Sequence, residues 1–145
     1  ILKRRPGFRD AFADFKIDVV ASFTDDDVER LMLDERIIRN RAKIVATIEN
    51  AKVTKNLLEQ SAGALHDLIW SFQPNSRQRV NACAGDEHAR YATLAEVPAV
   101  TTESEQLSKA LKKLGFKFVG ATTMYALMQS EGLVDDHVVG CHRAH

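Results

Sequence analysis

His137 and Cys141, near the carboxyl end of the sequence, have the types and spacing of zinc ligands. A histidine and a cysteine four positions apart can project from one helical turn toward one ion, and imidazole with thiolate suits Zn²⁺. A structural zinc ion needs four ligands, and the other nearby candidates are His142 and His145. The residues His137, Cys141 and His145 would share one face if a helix ran through them. The spacing alone favours a surface histidine and a buried free cysteine.

The short segment between Gly115 and Gly120 is a second candidate site, because glycine stands at both of its ends. Gly115 can adopt the positive φ of a helix carboxyl-terminal cap, and Gly120 removes a side chain where the next helix begins. The N–H groups of residues 120–123 would then be open to an anion such as a DNA phosphate. Side chains that could hold the same anion are Lys112, Lys113, Lys117 and Thr122 or Thr123. From spacing alone, a hairpin whose apolar side chains fill the core is the favoured interpretation.

The composition, with 45% apolar and 28% charged residues over 145 positions, predicts one domain with its own core. Twenty basic and twenty acidic residues cancel, which excludes a protein that coats nucleic acid by bulk positive charge. The bases are nevertheless grouped, and a local excess is present in segments 1–9, 36–55 and 109–117. Each segment alone is typical of a solvated helix face, whereas the three together could form a basic surface.

The sequence contains no run of about 18 apolar residues and no signal-peptide layout, so neither a membrane span nor export is predicted. Its two cysteines, Cys83 and Cys141, are too few for a disulfide framework. We therefore expect a cytoplasmic protein.

Helical periodicity of the apolar residues predicts an all-α fold. Phe8, Phe12 and Phe15 recur at helical spacing and favour a short helix with one buried aromatic edge. Thr24 and Asp27 have the layout of a capping box, which predicts that a helix begins there.

The longest helix is predicted over about 36–60, where the apolar pattern runs without glycine or proline. A short helix that stops at Pro74 follows, and it contains Trp70, which is predicted to be a core residue. Residues 73–100 show little periodicity and are predicted to form a long loop. Thr102 and Glu105 form a second predicted capping box, which opens the helix that leads into the hairpin.

Several segments, in the correct order, resemble the bacterial DNA-3-methyladenine glycosylase I family. They read IIRNRAKI at 37–44, LIWSF at 68–72, LKKLGFKFVGATT at 111–123 and GLVDDHVVGC at 132–141. The resemblance covers essentially the whole chain and implies a helix-hairpin-helix at about 103–131, whose turn at 115–120 anchors DNA. It also implies a monofunctional, monomeric repair enzyme that hydrolyses the N-glycosidic bond of 3-methyladenine in alkylated double-stranded DNA.

The resemblance changes the interpretation of His137 and Cys141. In the family, a histidine and a cysteine at this place are two ligands of a structural zinc ion, and a cysteine and a histidine near the amino terminus complete it. Ile1 corresponds to a position after those two partners, so we expect an empty half-site or a site completed by residues that precede this sequence. Cys83 and His88 match nothing in the family and are interpreted as incidental.

The base pocket and the catalytic residue stay unassigned. The family uses a glutamate and aromatic residues that precede the matching region, so the segment by itself is expected to be inactive. Trp70 and Tyr125 belong to no motif that places them in a pocket. Asp135 resembles the position of the catalytic aspartate of the wider superfamily, which stabilises the sugar cation. Members of this family commonly have asparagine there, so a helix cap is the favoured interpretation of Asp135.

Two other functions are compatible with the same residues. A non-enzymatic helix-hairpin-helix module would keep the hairpin and the basic segments and would lack a base pocket. A metal-dependent hydrolase would use the histidines and aspartates of 135–145, but a three-ligand catalytic geometry is not evident in their spacing.

Overall fold

The computed structural model describes residues 1–74 and 91–142, and the regular secondary structure in those ranges is helical. The α-helices are α1 Arg5–Ala11, α2 Ile17–Ala21, α3 Asp25–Leu33, α4 Arg41–Gln60, α5 Ala64–Trp70, α6 Thr102–Lys113 and α7 Ala121–Ser130. The all-α class predicted from the periodicity is confirmed. No helix in the described ranges is long and apolar enough to cross a membrane.

The chain divides into two compact units, each built from two separate segments. Unit 1 comprises Ile1–Leu65 and Leu111–Phe118, and unit 2 comprises His66–Ala110 and Val119–His145. The boundary falls inside the predicted hairpin, between Phe118 and Val119. The single domain expected from the length stays a prediction.

The aromatic residues of the amino-terminal segment are buried to different extents. Phe12 is buried, and its ring stacks on Phe8 and Phe15 with centroids 6.5 and 5.5 Å apart. Phe15 itself is 48% exposed, so the predicted buried edge is wrong at this position. The reason is local, because α1 ends at Ala11 and residues 13–15 take positive φ angles that turn the chain.

The predicted capping box at the start of α3 is confirmed, because the Thr24 N–H donates to Asp27 Oδ2 at 3.0 Å. Hydrogen bonds from Thr24 and Arg30 to Asp27 hold the pKa of its carboxyl below the usual value. The first four helices contribute to an apolar core in unit 1, which is formed by Ala11, Phe12, Val20, Val28, Leu31, Ile37, Ile44 and Ile48.

The longest helix begins at residue 41, so the predicted start near residue 36 is wrong. Asp34 Oδ1 accepts the backbone N–H of Arg36 at 2.9 Å, which forms a turn that breaks the helix. The backbone at Arg36 passes so close to Gly7 that a Cβ there would lie 2.8 Å from the Arg36 carbonyl oxygen. A new helix starts where Asn40 Oδ1 accepts the N–H of Lys43 at 3.0 Å. Ile37 is buried although it is not helical, so the apolar pattern correctly indicated burial at this position but not a helix.

Two predictions for unit 2 are corrected. The capping box of α6 lies one residue earlier than predicted, because Thr101 N–H donates to Ser104 Oγ at 2.9 Å and Ser104 N–H donates to Thr101 Oγ1 at 3.3 Å. Trp70 is 37% exposed and is not a core residue, since the seven-residue α5 has no buried side chain. Of the predicted loop 73–100, residues 75–90 lie outside the described part, and 91–100 contain neither helix nor strand.

Candidate DNA-binding hairpin and metal-binding segment

The carboxyl end of α6 is closed by the glycine that the sequence singled out. Gly115 has a φ of +99°, and its N–H donates to the Lys112 carbonyl at 3.0 Å. The N–H of Phe116 donates to the Leu111 carbonyl at 3.1 Å. These two bonds are those of a Schellman cap, which satisfies the last carbonyls of a helix and reverses the chain direction. The positive φ predicted for Gly115 as a helix carboxyl-terminal cap is confirmed.

The turn that follows is fastened to α4 by a side chain that sequence reasoning missed. Asn50 Oδ1 accepts the N–H of Lys117 at 2.8 Å, and Asn50 Nδ2 donates to the Lys117 carbonyl at 3.0 Å. One carboxamide therefore binds both backbone polar groups of a residue 67 positions away in sequence. The available signal was an asparagine inside a long helix, where its propensity is poor unless it has a tertiary partner.

The apolar side chains of the turn are divided between the core and the surface. Phe116 is buried in unit 1 and Val119 is buried in unit 2. Phe118 is 58% exposed and has a φ of +59°, and its ring lies 6.0 Å from Lys43 Nζ. The turn is therefore more than a plug for the core, because its central aromatic residue faces solvent beside a cation.

The hairpin lysines differ in their pairing from half of the bases in the other two basic segments. Lys112, Lys113 and Lys117 are exposed and form no ion pair within residues 1–74 and 91–142. The paired bases elsewhere in unit 1 are Arg9 with Asp14, Arg30 with Asp27, Arg36 with Asp10 and Asp34, Arg41 with Glu29, Lys52 with Glu49 and Lys55 with Asp18. Glu49 lies near the hairpin, yet its pKa is lowered mainly by Lys52 and only weakly by Lys117. The three lysines thus carry positive charge that no carboxylate in the described ranges approaches to ion-pair distance.

The start of α7 lies in unit 2 and carries the other predicted phosphate-binding residues. Gly120 is the residue before the helix, with φ −65° and ψ 157°, and a Cβ added there would meet no atom within 4 Å. Thr122 and Thr123 are exposed. The backbone conformation at position 120 therefore does not require a glycine, and the space that a side chain would occupy there is open.

The segment 135–142 is not helical, which corrects two predictions. Val139 and Gly140 form a turn with a φ of +80° at Gly140, so His137 and Cys141 are not on one helical face. Asp135 caps no helix; its Oδ1 accepts the backbone N–H of His137 at 3.2 Å and lies 2.6 Å from His137 Nδ1. His137 is exposed and Cys141 is half-buried.

The described residues contain two of the four ligands that the predicted zinc site needs, His137 and Cys141. In residues 1–74 and 91–142, no group of three or more His, Cys, Asp or Glu side chains could hold a metal ion. His142 is described and exposed, whereas His145, Cys83 and His88 lie outside the described residues. The pairing of His137 Nδ1 with a carboxylate leaves Nε2 for a ligand, which is the usual arrangement of a zinc-binding histidine. The donor set therefore fits zinc in kind but not in number.

A buried tyrosine holds the segment next to His137. The hydroxyl of Tyr125, on α7, donates to Asp136 Oδ2 at 2.5 Å, and Gln129 Nε2 donates to the same oxygen at 2.9 Å. Burial raises the pKa of Tyr125 far above its usual value, and the Asp136 carboxylate raises it further. The Val139 N–H donates to the Tyr91 carbonyl at 3.0 Å, which holds the chain on the carboxyl-terminal side of His137. Tyr125 thus supports the chain at the predicted ligand.

Unit 1 contains an open cleft of about 480 Å³ that is lined by Arg4, Glu35, Ile37, Ile38 and Arg39. Arg4 Nη1 donates to the carbonyls of Glu35 at 2.6 Å and Ile37 at 3.2 Å. None of these five residues is aromatic, so they offer no ring on which an extruded base could stack.

Comparison with known proteins agrees with the segments that carry the resemblance. The family model described as Methyladenine glycosylase matches residues 1–144. DNA-3-methyladenine glycosylase 1 of Escherichia coli (strain K12) is 45% identical over 97% of this chain and 70% of its own length. DNA-3-methyladenine glycosylase of Haemophilus influenzae is 42% identical over 97% of this chain and 71% of its own length. A crystal structure of 3-methyladenine DNA glycosylase I superposes with a TM-score of 0.84 at 40% identity, covering 99% of this chain and 74% of that one. The chain belongs to the methyladenine glycosylase family.

Proposed function

We propose that this protein is a monofunctional glycosylase of base-excision repair that hydrolyses the N-glycosidic bond of 3-methyladenine in alkylated DNA. The observation that carries the proposal is the family match over residues 1–144, together with 45% identity to a relative of that activity. Cytoplasmic location and monomeric action are parts of the proposal that the family resemblance supports.

The reaction places modest demands on acid catalysis. The methylated base is cationic in the nucleotide, so it leaves with the electron pair of the glycosidic bond and becomes neutral. Water then bonds to the anomeric carbon and loses a proton, which yields the free base and an abasic site. The protein must extrude the nucleotide, hold the base by stacking and hydrogen bonds, and admit the water.

In this proposal the hairpin supplies the affinity for DNA that does not depend on sequence. The N–H groups at the start of α7 and the Thr122 hydroxyl bind backbone phosphate, and the lysines at 112, 113 and 117 also bind backbone phosphate. The support is the Schellman cap at Gly115, the open space at Gly120 and the unpaired state of Lys112, Lys113 and Lys117 within the described ranges. Phosphate contacts of this kind position a duplex and read no bases.

A structural zinc ion is a further part of the proposal. His137 through Nε2 and Cys141 through Sγ would supply two of the four ligands, and the other two would come from outside the described residues. The support is the ligand types and the orientation of His137 by Asp135. When bound, the ion would tie this segment to the part of the protein that holds its remaining ligands, and it has no step in the hydrolysis.

The test is excision by the complete protein. A duplex treated with a methylating agent is incubated with the protein, and the released bases are separated by chromatography. We expect free 3-methyladenine and abasic sites without strand cleavage, because the proposed enzyme is monofunctional. Binding of the duplex without release of any base would contradict the proposal and support the non-enzymatic module.

A further inference from the structure

Asn50 connects two segments that are distant in the sequence. It lies in the middle of α4, and its carboxamide binds the N–H and the carbonyl of Lys117 at 2.8 and 3.0 Å. Gly115 lies against the same helix, since a Cβ built on it would be 3.5 Å from Val53 Cγ2. The hairpin segment 111–118 is therefore braced along α4, and Asn50 provides the directional part of that contact.

The two hydrogen bonds are not needed to satisfy buried groups. Lys117 is exposed, so water could solvate its N–H and carbonyl if Asn50 were absent. The two hydrogen bonds instead fix the position of the backbone at Lys117 relative to α4. The next residue, Phe118, has a φ of +59°, a conformation that is unfavourable for an aromatic residue and persists only when its surroundings impose it.

We propose that Asn50 is a positioning residue for DNA binding, which holds segment 111–118 so that its lysines meet one phosphate strand. The inference rests on the proposed function. Asn50 acts through the backbone of Lys117 and touches no reacting atom. Removal of the Asn50 side chain leaves the lysine charges in place but lets the turn sample other conformations. DNA must then order the turn on binding, and this ordering lowers the affinity.

The experiment uses Asn50→Ala in the complete protein, with Asn56→Ala as the matched control. Asn56 is an exposed asparagine on the same helix. We expect Asn50→Ala to weaken binding of undamaged and alkylated duplexes equally, by about tenfold, as expected for two lost hydrogen bonds. The single-turnover excision rate at saturating DNA should stay within twofold of the parent, and Asn56→Ala should behave as the parent in both measurements.

A double-mutant cycle with Lys117→Ala separates positioning from general destabilisation. If Asn50 acts through the hairpin, its loss costs less affinity when the Lys117 side chain is already absent, so the two losses do not add. Asn50→Leu keeps the branched shape of the side chain without its hydrogen-bonding groups, and it serves the same test if the alanine variant does not fold. Additive losses, unchanged affinity, or a lower rate at saturating DNA with unchanged affinity would each overturn the inference. Duplex binding tests Asn50 even if the parent protein releases no base, which is the separate failure of the proposed function.

Discussion

The hairpin around Lys117 and the segment around His137 differ in how far the described residues complete them. Both are short, glycine-containing segments with chemically suitable side chains. The hairpin has its helix cap, its brace and its unpaired charges within the described part. The segment at 135–142 has an oriented histidine and a cysteine, but not four ligands. Phosphate binding needs only backbone N–H groups and nearby charge, whereas a tetrahedral ion requires donors that converge from several places in the fold.

The largest effect is expected from removing a predicted zinc ligand. The complete protein is expected to contain one zinc ion per chain, and His137→Ala should lose it together with several kcal/mol of stability, on the order of 10 °C in the melting temperature. The measurements are metal analysis after dialysis and thermal unfolding. His142→Ala is the control, because that histidine is exposed nearby and is not assigned as a ligand. A parent protein without zinc would remove the metal from the proposal.

The second test reverses one charge of the hairpin. Lys117→Glu should weaken binding to damaged and undamaged duplexes alike, by roughly tenfold or more, and reduce the dependence of affinity on salt by about one phosphate contact. Affinities measured over a range of salt concentrations provide both quantities. A loss confined to damaged DNA would mean that Lys117 contacts the altered base rather than a phosphate.

The third test uses the two glycines of the hairpin as a pair. Gly115→Ala should lower the free energy of unfolding by about 1–2 kcal/mol, because φ is +99° there and an alanine is strained at that angle. Gly120→Ala should leave stability within about 0.5 kcal/mol, since its φ is −65° and the space is open. It should nevertheless weaken duplex binding, because a methyl group would occupy the approach of the phosphate. Equal stability losses, or normal binding by Gly120→Ala, would contradict this division of roles.

The smallest effect is expected at Asp135. An asparagine keeps the oxygen that accepts the N–H of His137, so Asp135→Asn should excise 3-methyladenine within about twofold of the parent rate. The measurement is single-turnover excision by the complete protein. A rate loss of about a hundredfold or more would identify Asp135 as the group that stabilises the sugar cation.

The features that could be predicted from the sequence are those determined by neighbouring residues. The all-α class follows from periodicity, the start of α3 from Thr24 and Asp27, and the positive φ of Gly115 from a glycine after a helical run. The predictions for Phe15 and Trp70 failed because apolar character alone does not state which residues a neighbouring segment covers. The prediction for Ile37 was right about burial and wrong about the helix, since Ile37 is buried in a non-helical segment.

The sequence by itself determined the all-α class, the hairpin, the residue types at the predicted zinc-binding positions and the family, because each depends on residues within a few positions or on a linear pattern. Only the tertiary structure decided that α4 starts at residue 41, because the contact of Gly7 with Arg36 and the turn formed by Asp34 interrupt the predicted helix before that residue. It alone decided that Asn50 binds Lys117, and that Asp135 binds His137 instead of capping a helix. A hydrogen bond depends on distance and direction in space, and spacing along the chain specifies neither for residues 67 positions apart.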